Sequence, residues 1–181
     1  KDAYVESYKS DGRAVYQTWQ SPSGWDISWG ELRMMEPYEE RIVGYPEIAM
    51  SVMTYSNPGD VTAELVWVGS GTREEEYGGK NVKGKIVVTE GSASSVHQIA
   101  CLDSGALGVV SINSPRPYFD PLQLAWASVR GDQKRNLQAK FAFQIPPREG
   151  EFLKKRRLAG EKITVRAQVS AEMRKYELQD I

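Results

Sequence analysis

Two residue types are nearly missing from this sequence: one cysteine and one histidine in 181 residues. A single thiol excludes an internal disulfide and any multi-cysteine zinc or iron–sulfur site. A single imidazole leaves little room for a catalytic zinc site, which takes about three protein ligands with histidine prominent among them. It also narrows triad chemistry to His97 as the one candidate base. No apolar run approaches the roughly 18 residues of a membrane span. Charge of one sign is lacking too: 23 Lys+Arg stand against 24 Asp+Glu, a net charge of −1. That balance provides no basic field suited to nucleic acid. There is no signal-peptide apolar region, internal repeat or low-complexity tract. The chain opens at Lys1 without Met and is expected to be a piece of a longer protein.

What is present is an ordinary globular composition, 40% hydrophobic and 26% charged. Its length suits one domain, or one domain with a sizeable arm. Residues 1–46 read as an arm of short extended segments. Ala14–Gln20 is rich in β-formers and closes on Ser21-Pro22-Ser23-Gly24. Trp25, Ile27 and Trp29 alternate with polar residues, the period of a half-buried strand. Leu32, Met34 and Met35 follow, and Glu36-Pro37 ends the segment. Ile48–Met53 is another short extended run, and Ser56-Asn57-Pro58-Gly59-Asp60 is a strong turn signal.

From there the pattern tightens. Val61–Val68 and Lys85–Thr89 read as strands. Ser92–Ser104 reads as a helix, with Ser95 and Gln98 at capping-box spacing and Gly105 in the C′ position. Leu107–Ile112 is a further apolar strand. Strand, helix and strand within about thirty residues make a βαβ unit with parallel strands. Phe141–Ile145 is expected to be a strand, Pro147–Leu158 a helix, and Ile163–Val169 a final alternating strand. Residues 171–181 are polar and expected to be linker-like. The fold class that follows is a β-rich α+β domain: a twisted, partly closed sheet or sandwich with one βαβ unit and about two flanking helices.

Most chemistry-bearing residues have a plain structural reading. His97 and Cys101 share a helix face at i, i+4; a packed histidine beside a small buried cysteine suits them better than a two-ligand metal site. The glycines Gly84, Gly91, Gly105 and Gly108 match neither the dinucleotide fingerprint nor the phosphate loop, and turns and caps explain them. Lys154-Lys155-Arg156-Arg157 reads as a solvated helix face. Nothing singles out any pair of carboxylates as a glycosidase dyad. Of the tryptophans, most sit in strand patterns and are expected to pack; Trp126 does not.

The stretch Pro115–Arg130 has no sustained period, yet it carries Arg116, Tyr118, Phe119, Trp126 and Arg130. Aromatic residues and arginine in a long loop point to a contact surface. The competing reading is that the loop folds back and caps the domain's own core.

Lys83-Gly84-Lys85-Ile86-Val87-Val88, Gly91, and Ser104-Gly105-Ala106-Leu107-Gly108-Val109-Val110 together resemble the protease-associated domain. Val66–Gly71 and Tyr77–Val82 are similar to its lead-in, and Phe141–Val169 fits its closing strand, helix and strand. Trp25, Leu32, Pro37 and Ser56-Asn57-Pro58-Gly59 resemble the segment ahead of that domain in dizinc aminopeptidases and glutamate-carboxypeptidase-like enzymes. The resemblance implies a protease-associated domain over residues 47–170, flanked by the arm and by a linker toward a catalytic domain. It implies no catalytic residue, metal ligand or cofactor in this chain, with zinc held by the parent's catalytic domain. Substrate gating, positioning or partner contact is the implied role. The implied partners are that domain and a peptide substrate, whose carboxylate Arg116 or Arg130 would meet. The implied location is extracellular or periplasmic. Two rivals stay open: a peptide- or partner-binding domain of a secreted serine protease or sorting receptor, and a small stand-alone enzyme or carbohydrate-binding β-sandwich.

Overall fold

The computed structural model describes residues 5–132 and 134–180. In chain order the first strands are β1 (Glu6–Ser10), β2 (Val15–Tyr16), β3 (Trp19–Gln20), β4 (Gly24–Glu36), β5 (Glu40–Tyr45) and β6 (Gly59–Trp67). There follow β7 (Ile86–Thr89), helix α1 (Ala93–His97), β8 (Gly108–Ser111), β9 (Phe141–Gln144), helix α2 (Pro147–Leu158), β10 (Thr164–Arg174) and β11 (Tyr176–Asp180). Seven strands form one mixed sheet in the order β5-β4-β10-β6-β7-β8-β9. The β5-β4-β10-β6 side is antiparallel and the β6-β7-β8-β9 side parallel. The fold is the expected β-rich α+β class, with an open sheet rather than a closed one.

Alternation assigns the two faces. Ile86, Val88, Val110, Phe141 and Phe143 bury in one cluster, whereas Val87, Val109 and Ala142 bury in another on the opposite face. A parallel strand covered on both sides has to be apolar throughout, which is why IVV and GVV read as continuous runs. The first cluster also holds Leu32, Met34 and Val43 from the far end of the sheet, together with Leu153 of α2. The sheet therefore curls around this cluster. The second cluster lies under α1, whose Ala93 and Val96 face it, and under the π-helix Gln98–Asp103 that continues it.

The antiparallel side keeps a wet face. Glu31 there accepts from Arg33 at 2.9 Å and Arg41 at 2.8 Å, while its neighbours Leu32 and Met34 point into the core. This is the hydrophobic-in, polar-out division of an antiparallel pair.

Several local expectations change. The helix starts after Ser92 rather than at a Ser95/Gln98 box, and Ser92 makes no side-chain cap bond. Gly105, at φ +77, does end it. Ile48–Met53 is mostly turn, with a single bridge from Val52 to Phe143. The stretch expected to be a linker is strand: β10 runs to Arg174, and β11 pairs antiparallel with β1 from Glu6↔Asp180 to Ser10↔Tyr176. A polar sequence suits it because most of the ribbon's described side chains face solvent. Within residues 1–46, β4 and β5 are strands of the main sheet itself. Residues 1–4 of that arm, and 181 of the linker, lie outside the described residues.

Two glycines mark close approaches. A Cβ on Gly108 would sit 2.2 Å from the Phe141 ring, and one on Gly150 would sit 1.8 Å from Ile112 Cγ2. Gly150 is the point where α2 lies against the end of β8. Alanine there gains about 1 kcal/mol of helix propensity but collides with a β-branched side chain that is itself buried. Overpacking of this kind costs about 1–3 kcal/mol. Gly150→Ala is therefore expected to lower stability, read as a drop in the urea midpoint with unchanged slope.

Candidate functional site

Adjacent parallel strands cannot be joined by a hairpin, so the chain must cross over a sheet face between β8 and β9. Residues 112–140 make this crossing, with no helix among the described residues, and the loop divides into two halves of different character.

The outgoing half projects from the fold. Tyr118 is 94% exposed and Phe119 is 93% exposed. A turn closed by Asp120 N–H donating to Arg116 O at 2.9 Å carries them. Its far end is fixed to the start of α2, where Arg148 N–H donates to Pro121 O at 3.0 Å. Tyr118 lines a cleft of about 620 Å³ with Glu90, Asn113, Arg148, Phe152 and Lys154. This cleft lies just beyond the carboxyl ends of β7 and β8, the usual crevice of parallel sheets.

The returning half is stitched to the fold. Thr54 N–H donates to Ala127 O, and Val129 N–H donates to Thr54 O. Val129 and Ala139 are buried in the second cluster. Trp126 is 65% exposed, but its indole N–H reaches Thr54 Oγ1 at 3.1 Å. The Arg130 guanidinium lies 5.7 Å from the centre of the Tyr55 ring. Arg135 spans Asp132 and Asp103, tying the loop to the end of the π-helix. Arg130 lines a second cleft, described below, that Tyr118 does not share. The five residues singled out from the sequence thus fall into two groups: Arg116, Tyr118 and Phe119 on one arm, Trp126 and Arg130 on the other. The returning half packs against the fold, and the outgoing half stands exposed.

His97 is buried, and its Nε2 accepts the Lys140 N–H at 2.9 Å. The neutral ring then carries its proton on Nδ1. Burial drives its pKa down to about 4. Cys101 is buried as well, and its thiol is pushed up to about 12 by the same desolvation. An imidazole nitrogen already engaged and a thiol held protonated do not fit a zinc site. Among the described residues no three His, Cys, Asp or Glu side chains gather as metal ligands.

The basic run on α2 disperses. Lys154 pairs with Glu90 and lies over Trp67, Arg156 pairs with Glu161, and Arg157 pairs with Glu64. Of the tryptophans expected to pack, Trp25 does, with its N–H on Ser56 O at 2.9 Å. Trp19 and Trp29 stay exposed. Trp19 sits in a two-residue strand outside the main sheet, with its ring 6.3 Å from that of Tyr16. One further residue went unrecognised in the sequence: Tyr55, a non-glycine at φ +67. The adjacent turn residues Ser56-Asn57-Pro58-Gly59 were its only signal.

No family model and no curated protein sequence matches the chain. Its fold is that of several solved peptidases. An aminopeptidase from Aneurinibacillus sp. strain AM-1 superposes with a TM-score of 0.69 at 24% identity, covering 97% of this chain and 36% of that one. A peptidase M28 precursor from Shewanella amazonensis gives 0.66 at 10% identity over 97% and 39%. BSAP, a zinc aminopeptidase from Bacillus subtilis, gives 0.60 at 15% over 97% and 36%. The chain therefore spans little more than a third of these proteins. At such identities the likeness is one of fold.

The buried imidazole gives a pH prediction. Its folded pKa of about 4 lies below the ordinary 6.5, so between these values the unfolded chain binds the extra proton. Stability from this group is full above about pH 6.5 and lost as pH falls toward 4, by up to about 3 kcal/mol. His97→Gln keeps an acceptor for Lys140 without the proton uptake, and should flatten denaturant midpoints across this window.

Proposed function

We propose that this chain is a non-catalytic protease-associated domain of a zinc-dependent exopeptidase, serving substrate gating, positioning or protein contact. The observation that carries the reading is that nearly the whole chain shares its fold with 36% of an aminopeptidase. A unit of that size beside a catalytic domain is an accessory domain. The engaged His97 and protonated Cys101 support the assignment of zinc to the parent's catalytic domain and of no cofactor to this chain. In this reading residues 47–170 are the protease-associated unit. Residues 1–46 and 171–181 lead toward the catalytic domain while lending β4, β5 and the end of β10 to the sheet, and β1 pairs with β11. The partners are that domain and the peptide substrate, and the parent is an exported protein.

The contact surface in this reading is the projecting half-loop. Two adjacent aromatic rings in water, on a turn anchored at its far end to α2, have the character of interface anchors rather than of core. Arg116 is exposed beside them, and in this reading its guanidinium meets a carboxylate. Trp126 and Arg130 belong to the second group and contribute from the other side of the loop.

The test uses the full-length parent. Tyr118→Ser, Phe119→Ser and Arg116→Ala remove exposed groups, so melting temperature and zinc content should stay unchanged. At least one is expected to raise KM for a peptide substrate several-fold. Silent kinetics in all three, or a parent reading frame without a zinc peptidase domain, would overturn the proposal. The 181-residue chain alone is expected to show no peptidase turnover; one zinc retained per chain after dialysis against a mild chelator would count against it.

A further inference from the structure

The β2–β3 hairpin and the returning half of the loop face each other across a cleft of about 620 Å³. That is a volume suited to a small molecule or one or two residues of a peptide. Trp19, Leu137 and Met173 supply apolar wall, each more than a third exposed and free to be covered. Arg130 is, among the described residues, the one charged residue lining it. Among the described residues Arg130 has no carboxylate partner; its guanidinium rests on Tyr55, which leaves the edge of the fork free.

The polar lining separates into used and unused groups. Gln20 Nε2 already donates to Gly12 O, and Asn57 Nδ2 to Ala139 O. Ser21 is different. It is only 2% exposed, and its Oγ has no hydrogen-bond partner. Its own N–H donates to Ala14 O at 2.8 Å, which fixes the backbone that carries the hydroxyl. A buried hydroxyl left unsatisfied is destabilising, and such an exception needs a reason. The backbone below Arg130 is also strained: Tyr55 is held left-handed between the bonds of Thr54 to the loop and of Ser56 to Met53 and Ala142. Strain of this kind persists where the surroundings impose it, and it clusters at binding sites.

We infer that this cleft binds a small amphipathic carboxylate: one carboxylate on Arg130 and Ser21, with an apolar group against Trp19, Leu137 and Met173. A guanidinium matches both oxygens of a carboxylate, and among the described residues no acidic side chain lines the cleft to repel it. A peptide offers this chemistry in two ways, through the free carboxylate of an apolar last residue or through an acidic side chain. The inference rests on the cleft and not on the parent's identity, so its failure would leave the peptidase reading standing.

Calorimetric titration of the 181-residue chain tests it with three probes: N-acetyl-L-leucine, N-acetyl-L-leucinamide and N-acetyl-L-glutamic acid α-amide. N-acetyl-leucine is expected to bind about tenfold or more tightly than its amide. Arg130→Gln should abolish that preference, whereas Lys83→Gln, an equal charge loss at an exposed site outside the cleft, should keep it. Trp19→Ala should weaken both leucine probes alike. Ser21→Ala gives a second, independent signature: it should raise the melting temperature of the free protein, by removing an unsatisfied hydroxyl, yet weaken the acid. Binding of the leucine acid over the glutamate probe assigns the terminal carboxylate, and the reverse assigns an acidic side chain. Equal affinity for acid and amide, unchanged binding by Arg130→Gln, or no binding up to the solubility limit overturns the inference.

Discussion

Strand β10 is bonded along both edges, to β4 on one side and β6 on the other, and the rest of the molecule follows from that double pairing. It joins an antiparallel half, whose polar face is solvated, to a parallel half that must be covered on both faces. Register shifts at Thr164/Val165 and Ser170/Ala171 interrupt its pairing with β4. Irregularities of this type bend a strand and increase its twist. The bend lets Leu32 and Met34 from one end of the sheet meet Phe141 and Phe143 from the other in a single cluster.

The parallel half then dictates where contact surfaces arise. Each parallel neighbour requires a crossing. Between β7 and β8 a short helix and π-turn make it, burying Val96, Ala100 and Cys101. Between β8 and β9 the crossing has to cover what α1 leaves open, and the chain does so with Val129 and Ala139. Its remaining length is not needed for burial. That surplus holds Tyr118 and Phe119 in solvent, and its return path brings Arg130 over Tyr55.

His97 is part of this framework. The end of the crossing approaches α1 where the Lys140 N–H would otherwise lack a partner, and the imidazole accepts it. A neutral ring suits the apolar surroundings and the bond alike, at the cost of stability in acid. The one histidine that might have served a catalyst is thereby committed to holding the loop.

The strands, the βαβ unit and helix α2 were legible in the sequence because their signals are local. The apolar run Ile86-Val87-Val88, the alternation of Phe141, Phe143 and Ile145, and Pro147 and Gly160 at the ends of a helix need no knowledge of distant neighbours. The aromatic and arginine residues of 115–130 were legible as a group, because a long aperiodic stretch rich in them stands out. Residues 171–180 were not legible as strand. Their partners, β4 and β1, lie more than 140 residues away, and a ribbon without a buried face carries no hydrophobic period. The left-handed Tyr55, the unpartnered Ser21 and the cleft between them were decided only by the tertiary structure. Each depends on which segment comes to lie opposite it, and a cleft formed by residues 12–23 and 130–139 has no signature in either stretch alone.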